Sequence, residues 1–277
     1  MAEDCSRDGT PARVRAFADR HPGLVRPLLR KRNLGPVENF TDALAHCRGE
    51  YVALLDGDDF WISPHKLQRQ ISFLDAHPEH SACTHDAQLV EETGKPLRKR
   101  YCSPNLSPTL TIERVLEGNP VPACGLVFRR GLLARLPDWF GDLPFTDWTL
   151  HLLLLEYGPV HYDSRPDAAY RRHEGGLWSA LSERRRLRLQ IETYRLFENH
   201  LGRDPGGVIR RRVAKARLGL ALADARDGHR KEARRSLRMA LATAGAAAPR
   251  LLLSSNFRRL LRHALTRKRR PRSGAAR

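Results

Sequence analysis

Apolar residues fall into two rhythms along this 277-residue chain. Up to about residue 180, short apolar runs alternate with stretches in which apolar positions recur every three or four residues. Thr10 as N-cap and Pro11 at the first helical position predict a helix over Pro11–Arg20. Leu24–Leu29 reads as a short strand. Pro36–Cys47 reads as a helix with Val37, Phe40, Ala43 and Leu44 on one face and Gly49 just beyond its end. Tyr51–Leu55 is a continuous apolar run between Gly49 and Gly57, the pattern of a strand covered on both faces. His65–Asp75 is helical again, with Leu67, Ile71 and Leu74 as its stripe. This alternation predicts a layered α/β sheet, in which ligands bind beyond the carboxyl ends of the strands.

Beyond residue 181 only the helical rhythm persists. Leu187, Ile191, Tyr194, Phe197 and Leu201 form one stripe; helices over Gly207–Asp227 and Arg230–Ala244 meet at Gly228-His229 as a hairpin of tetratricopeptide type. A last helix over Arg250–Leu265 sets Leu253, Phe257, Leu260 and Leu261 beside Arg258, Arg259 and Arg262. Charge divides at the same place. The net +18 comprises +20 in residues 181–277 (27 Lys+Arg, 7 Asp+Glu) and −2 before them. Two regions with different tasks follow: an α/β domain over 1–180 and a basic helical region over 181–265, then a disordered basic tail over 266–277. No run of 18 apolar residues and no apolar leader is present, and the five cysteines form no C-x-x-C pair. These features lead to the expectation of a cytoplasmic protein with reduced thiols.

The strand Tyr51–Leu55 runs into Asp56-Gly57-Asp58-Asp59, three carboxylates in four residues. Like charges that close raise one another's pKa values, and a cation between them relieves this; a solvated turn is the alternative. Four further stretches accompany them: "EDCSRDGTP" (Glu3–Pro11), "NLGPVEN" (Asn33–Asn39), "FTDWTLHLLLLEYG" (Phe145–Gly158) and "YRRHEGGLWS" (Tyr170–Ser179). In this order and at these intervals, residues 3 to about 180 resemble the bacterial glycosyltransferases of family 2. These are inverting enzymes of the GT-A fold, a Rossmann-like, mostly parallel sheet flanked by helices.

The resemblance implies roles. Asp56-Gly57-Asp58 matches the family's D-x-D motif. Asp58 would then hold Mg²⁺ or Mn²⁺ on the diphosphate of a nucleotide-sugar donor, and Asp56 would hold ribose or support the metal. Hard cations of this kind take carboxylate and phosphate oxygens. Asp59 is read as a turn or helix cap, with a metal role as its alternative. Asp4, with Glu3 beside it, matches the acid that contacts the base, a role a carboxylate can fill by accepting from the imide N–H of uracil; the family's habit favours a UDP-sugar. Its alternative is an Asx-turn with Ser6. Asn33, Gly35 and Asn39 fall on the donor-binding glycine turn. Asp147 matches the general base that takes the acceptor hydroxyl's proton, and can equally be an N-cap for a helix over Trp148–Glu156. His173 matches a histidine that approaches metal or diphosphate, with a structural role as its alternative. Arg171 and Arg172 are read as solvated surface, with contact to phosphate as the alternative, and Trp61 as an anchor for the turn after the aspartates.

Family members open with a strand, a helix and a second strand that delivers the acid matched by Glu3-Asp4. Here Met1-Ala2 stands directly before that acid, so roughly thirty residues of a βαβ unit are missing. A misplaced start codon or a fragment weak in donor binding would each explain this. The expected function is metal-dependent inverting sugar transfer to a glycan or lipid-linked acceptor in cell-surface polysaccharide synthesis. Its alternatives are an inactive scaffold of the same ancestry and an anionic-surface or nucleic-acid binder. Residues 181–277 hold only Tyr194, Phe197 and Phe257 as aromatics, which argues against nucleic acid. The basic helices are instead expected at the anionic inner face of the cell membrane.

Overall fold

A computed structural model of the chain describes residues 1–143, 146–173, 175–176, 178, 180–245, 252–253 and 255–266, excluding the side chains of 261–266. The tail expected to be disordered from 266 onward lies outside the described residues but for Thr266. Two compact units are present, Met1–His173 and Glu174–Arg277.

The first unit is α/β. A two-stranded parallel ribbon pairs β1 (Ala2–Glu3) with β2 (Leu28–Leu29). The main sheet runs β3 (Tyr51–Ala53), β8 (Val127–Arg129), β5 (Ala82–Val90), β9 (Val160–Arg171), β4 (Phe60–Trp61); β6 (Pro96–Arg100) pairs with β5 and β7 (Thr109–Leu110) with β9. The sheet is mixed, not mostly parallel. Only β5 and β9 run parallel within it, and the other described pairings are antiparallel. An apolar run fixes burial but not strand direction, so Tyr51–Ala53 gave no sign of its antiparallel partner. The strand expected over Leu24–Leu29 shrinks to two residues. Leu24 and Val25 both turn back to donate to the His21 carbonyl, and Leu24 is 85% exposed. The strand at Tyr51 likewise ends at Ala53, with Leu54 keeping one ladder bond to Leu126 (3.1 Å).

Both faces of the sheet are covered. On one, α2 (Pro36–Ala45) and α5 (Thr146–Tyr157) bring Leu44, Leu150, Leu153 and Leu154 onto Val52, Ala82, Phe128 and Val160. On the other, α3 (Lys66–Ala76) lays Leu74 on Cys83 and Val127. α5 is buried from Trp148 through Leu154, as a helix apolar on all sides must be. Trp148 pins it to α4 (Ile112–Leu116) by donating from Nε1 to the Val115 carbonyl at 2.8 Å. α1 (Thr10–Arg20) starts one residue earlier than expected. Gly9 is its cap residue, and the Thr10 amide donates to Asp8 at 2.9 Å.

The second unit holds four described helices: α6 (Glu183–Leu201), α7 (Val208–Arg226), α8 (Arg230–Ala244) and α9 (Ser255–Thr266). Ser182 caps α6 by accepting from Arg185 N–H (3.3 Å), and left-handed Gly202 ends it. α7 and α8 form the expected hairpin. Leu218, Ala221, Leu222, Ala240 and Leu260 make its core, with Phe257 packed against them. Arg258 and Arg259 face outward. No helix among the described residues is long and apolar enough to cross a membrane.

Candidate active site

Three segments of the first unit bring carboxylates together. After β3 the chain leaves the sheet and turns through Asp56–Asp59, closed by the Asp59 amide on the Asp56 carbonyl (3.2 Å), before entering β4. The C-terminal end of β9 holds this turn. Arg171 donates its backbone N–H to Asp59 Oδ1 (2.9 Å), its Nε to the Asp58 carbonyl (2.8 Å), and its Nη1 to the Glu92 carbonyl. Two residues on, His173 Nε2 lies 2.9 Å from Asp58 Oδ2. Arg171 is thus a structural clasp of the aspartate turn, not solvated surface. Trp61 anchors the turn as expected, donating from Nε1 to the Cys124 carbonyl at 3.0 Å and packing on Ala87 and Ala168.

Asp59 is buried, with the Cys124 thiol beside it. Desolvation outweighs the Arg171 hydrogen bond and, with the Asp58 charge, pushes its pKa up to about 6. Asp56 is exposed as a residue, yet the protein packed around it partly desolvates its carboxylate. That desolvation, joined by the charges of Asp147, Asp59 and Asp58, pushes it up to about 7. The charge of Asp147 therefore reaches Asp56 although 91 positions separate the two in sequence. Tyr101 and Tyr170 lie in the same field, with ring centroids 4.9 Å apart. Burial and these carboxylates drive Tyr101 well above its ordinary value and Tyr170 up to about 12.

Asp147 sits in the first turn of α5, which begins at Thr146; it is within the helix rather than its cap. Burial raises its pKa against the opposing pull of Trp148 N–H and Asn119. Asn119 follows Gly118 in the loop after α4 and donates from Nδ2 to Asp147 Oδ2 at 2.6 Å. Its other end meets His151, whose Nδ1 is 3.1 Å from Asn119 Oδ1. An amide that donates to a carboxylate with nitrogen must accept with oxygen, so His151 carries its proton on Nδ1. Complete burial holds that ring neutral, with its pKa down at about 4. The sequence motifs pointed to neither Asn119 nor His151. The one local signal is a histidine one turn after Asp147 in an otherwise apolar helix.

The residues expected on the nucleotide side gather at the start of α2. Asp4 accepts the Leu34 and Gly35 amides, one on each oxygen, at 2.7 and 2.9 Å. Asn33 Nδ2 donates to the Asp4 carbonyl (3.0 Å), and Gly35 takes the left-handed φ of +83° that this turn needs. Asp4 thus makes no Asx-turn with Ser6. Glu3 supplies that contact instead, its oxygens accepting from Ser6 (2.8 Å) and Cys5 (3.2 Å). Glu3 is 4% exposed and spent on its own turn, whereas each Asp4 oxygen keeps a lone pair for a ligand. Asn39 accepts from Arg30 Nε at 3.1 Å, and Arg30 also pairs with Asp42.

Residues 1–136 match the family model described as glycosyl transferase family 2. The chain belongs to this family. An uncharacterized protein of Mycobacterium tuberculosis is 37% identical over 194 residues, which cover 68% of this chain and 54% of that protein. The succinoglycan biosynthesis protein ExoO of Rhizobium meliloti is 33% identical over 121 residues, 43% of this chain and 33% of its own length. This family-2 chain spans about half the length of the first curated relatives it matches. Among solved structures, the mannosyltransferase PcManGT of Pyrobaculum calidifontis, crystallised with GDP-Man and Mn²⁺, aligns with a TM-score of 0.50 at 20% identity. That alignment covers 95% of this chain and 75% of that one. It establishes the fold: a GT-A-like α/β unit with helices following it.

Proposed function

We propose that the chain transfers a sugar, with inversion, from a nucleotide-sugar donor to a hydroxyl of a glycan or lipid-linked acceptor in cell-surface polysaccharide synthesis. The observation that carries the reading is that the charge of Asp147 reaches Asp56, a base candidate within the field of a diphosphate-binding candidate.

The donor set fits a hard divalent cation, Mg²⁺ or Mn²⁺. Asp58 Oδ2 and His173 Nε2 already lie 2.9 Å apart, and Asp56, raised first by desolvation, also feels the charges of Asp147, Asp59 and Asp58, which a cation would offset. Asp58 and His173 would hold the ion, with the donor's oxygens filling the rest of its shell. Bound there, the ion would neutralise charge on the departing nucleoside diphosphate. Asp4, backed by Asn33 and Gly35, accepts from the base, a preference that suits the uracil imide and hence a UDP-sugar. Asp147 accepts the acceptor hydroxyl's proton, and Asn119, held by His151, aims its carboxylate. Burial raises Asp147's basicity, which suits a proton taken near neutral pH.

For the second unit we propose attraction to anionic lipid by charge alone. Phe257 and Leu260, the apolar stripe of α9, are engaged in the unit's own core, leaving Arg258 and Arg259 outward. This would keep the protein cytoplasmic and peripheral on the membrane's inner face.

The test is turnover of UDP-sugars by the full chain and by Asp147→Asn. Loss of turnover with retained metal-dependent UDP binding supports the reading. Indifference to the substitution would instead favour a scaffold.

A further inference from the structure

The segment His77–His80 joins α3 to β5 and has no part in the site above. The His77 amide closes the end of α3 on the Leu74 carbonyl (3.1 Å). A tight turn follows, closed by the His80 amide on the His77 carbonyl at 3.0 Å, with Pro78 and Glu79 at its centre. Proline presets the φ that the second residue of such a turn requires, so the turn is stiff before anything binds. It brings His77 Nδ1 and His80 Nδ1 onto one oxygen, Glu79 Oε1, at 3.1 and 3.0 Å. Among the described residues these three are the one group of metal-capable side chains whose ligand atoms all lie within 4.8 Å of one another.

Packing fixes the rings. Phe73, one turn earlier on α3, stacks on His77 with centroids 4.4 Å apart and on His161 of β9 at 4.0 Å, and meets His80 edge-on at 5.0 Å. The turn's backbone is pressed from behind: a Cβ on Gly158 would sit 2.4 Å from the Glu79 carbonyl oxygen. Ser81 Oγ bonds the Gly158 carbonyl at 3.1 Å.

We propose that His77, Glu79 and His80 form a second metal site, one that takes a transition cation of the Zn²⁺ class and leaves its fourth position to water. Two imidazoles and a carboxylate suit Zn²⁺, Co²⁺ or Ni²⁺ and bind Mn²⁺ and Mg²⁺ far less well. Bonds of about 2.0–2.2 Å in a tetrahedron separate ligand atoms by about 3.3 Å, so the two N···O distances need to open by only a few tenths of an ångström. Each Nδ1 loses its proton to water and gives its lone pair to the cation. A neutral ring takes one back on Nε2 from water, so neutral rings release none and an imidazolium releases one.

The site is remote from the candidate active site. β5 and β9 run in parallel register, with Ala82 beside Val160 near the turn and Val90 beside Arg171 at the far end. A strand of that length sets roughly 25 Å between the two ends. A cation here would tie the end of α3 to the start of β5, so its effect is on stability and not on turnover.

Calorimetric titration of the metal-stripped full chain with ZnCl₂ tests this, alongside His80→Ala, Glu79→Gln and Asp58→Ala. Expected are one-to-one binding tighter than about 10 µM and a weakening of at least about 10-fold in both turn variants. Binding in Asp58→Ala should be unchanged, and Zn²⁺ should raise the Tm of the unmodified chain but not of the turn variants. Co²⁺ should give tetrahedral visible absorption that His80→Ala abolishes. The proposal is overturned by absence of Zn²⁺ binding at 100 µM, by equal affinity in the turn variants, or by loss in Asp58→Ala alone. Glu79 is exposed, so Glu79→Gln keeps the test valid if His80→Ala fails to fold.

Discussion

The two units of this chain handle charge in opposite ways. In the first, near-neutral overall, Asp56, Asp59 and Asp147 each have a raised pKa, by desolvation first and, for Asp56 and Asp59, by neighbouring carboxylates as well. The second carries the whole of the protein's net positive charge. Among its described residues Arg217 is lowered from its ordinary value, chiefly by burial. Its arginines either stay in solvent or pair across helices, as Arg184 does with Asp224 (2.7 Å) and Arg226 with Glu183 (3.0 Å). The lesson is that charge count and chemical strain are separate quantities. A fold that holds like charges together against their repulsion gains by a partner of opposite sign, and that marks a site better than net charge does.

Breaking the strained side should have the largest effect. Asp147→Asn should lower kcat by about 10²–10⁴-fold, the usual contribution of a positioned general base, with KM for the donor little changed. Steady-state kinetics would show it. Asn119→Ala should follow, with about a 10-fold loss in kcat from a base no longer aimed. It also removes a hydrogen bond that favours the ionised carboxylate, so Asp147's pKa should climb further and the acid limb of the pH–rate profile move to higher pH. A merely structural asparagine would lower activity without moving that limb.

Asp56→Asn should sharpen the comparison in the opposite direction by stabilising the metal-free protein. Asp56 titrates near 7 when folded and near its ordinary value of 3.8 when unfolded. Its stability contribution is therefore present in acid and lost as pH rises through about 7. The substitution should raise Tm by a few degrees at pH 8 and not at pH 4 in calorimetry with chelator. His151 has the reverse sign: neutral when folded, it costs stability as pH falls from 6.5 toward about 4. The smallest effect belongs to the second unit. Arg258→Glu with Arg259→Glu should reduce flotation with anionic vesicles a few-fold, an effect that salt should mimic. Equal recovery with neutral and anionic vesicles would contradict lipid attraction.

Much of this was legible in the sequence because it is local. Alternating periods predicted an α/β unit followed by helices, and Gly35 and Pro36 marked the start of α2. The D-x-D turn announced itself by three acids in four positions. What stayed hidden depends on contacts distant in sequence. Arg171 looks like one arginine among many until β9 brings its amide to Asp59. Asn119 reaches Asp147 across 28 positions through an α4–α5 packing that no spacing encodes. Strand direction was equally hidden, since Tyr51–Ala53 pairs antiparallel with a segment some 75 residues later.

The central claim is that the D-x-D turn holds a metal–diphosphate, and its most direct test is calorimetric. UDP, GDP, CDP and dTDP would be titrated into the full chain with Mn²⁺ present and again after chelation, with Asp58→Ala as control. The account predicts metal-dependent binding of one nucleotide, UDP, abolished by the substitution. Binding that survives both chelation and Asp58→Ala would contradict it.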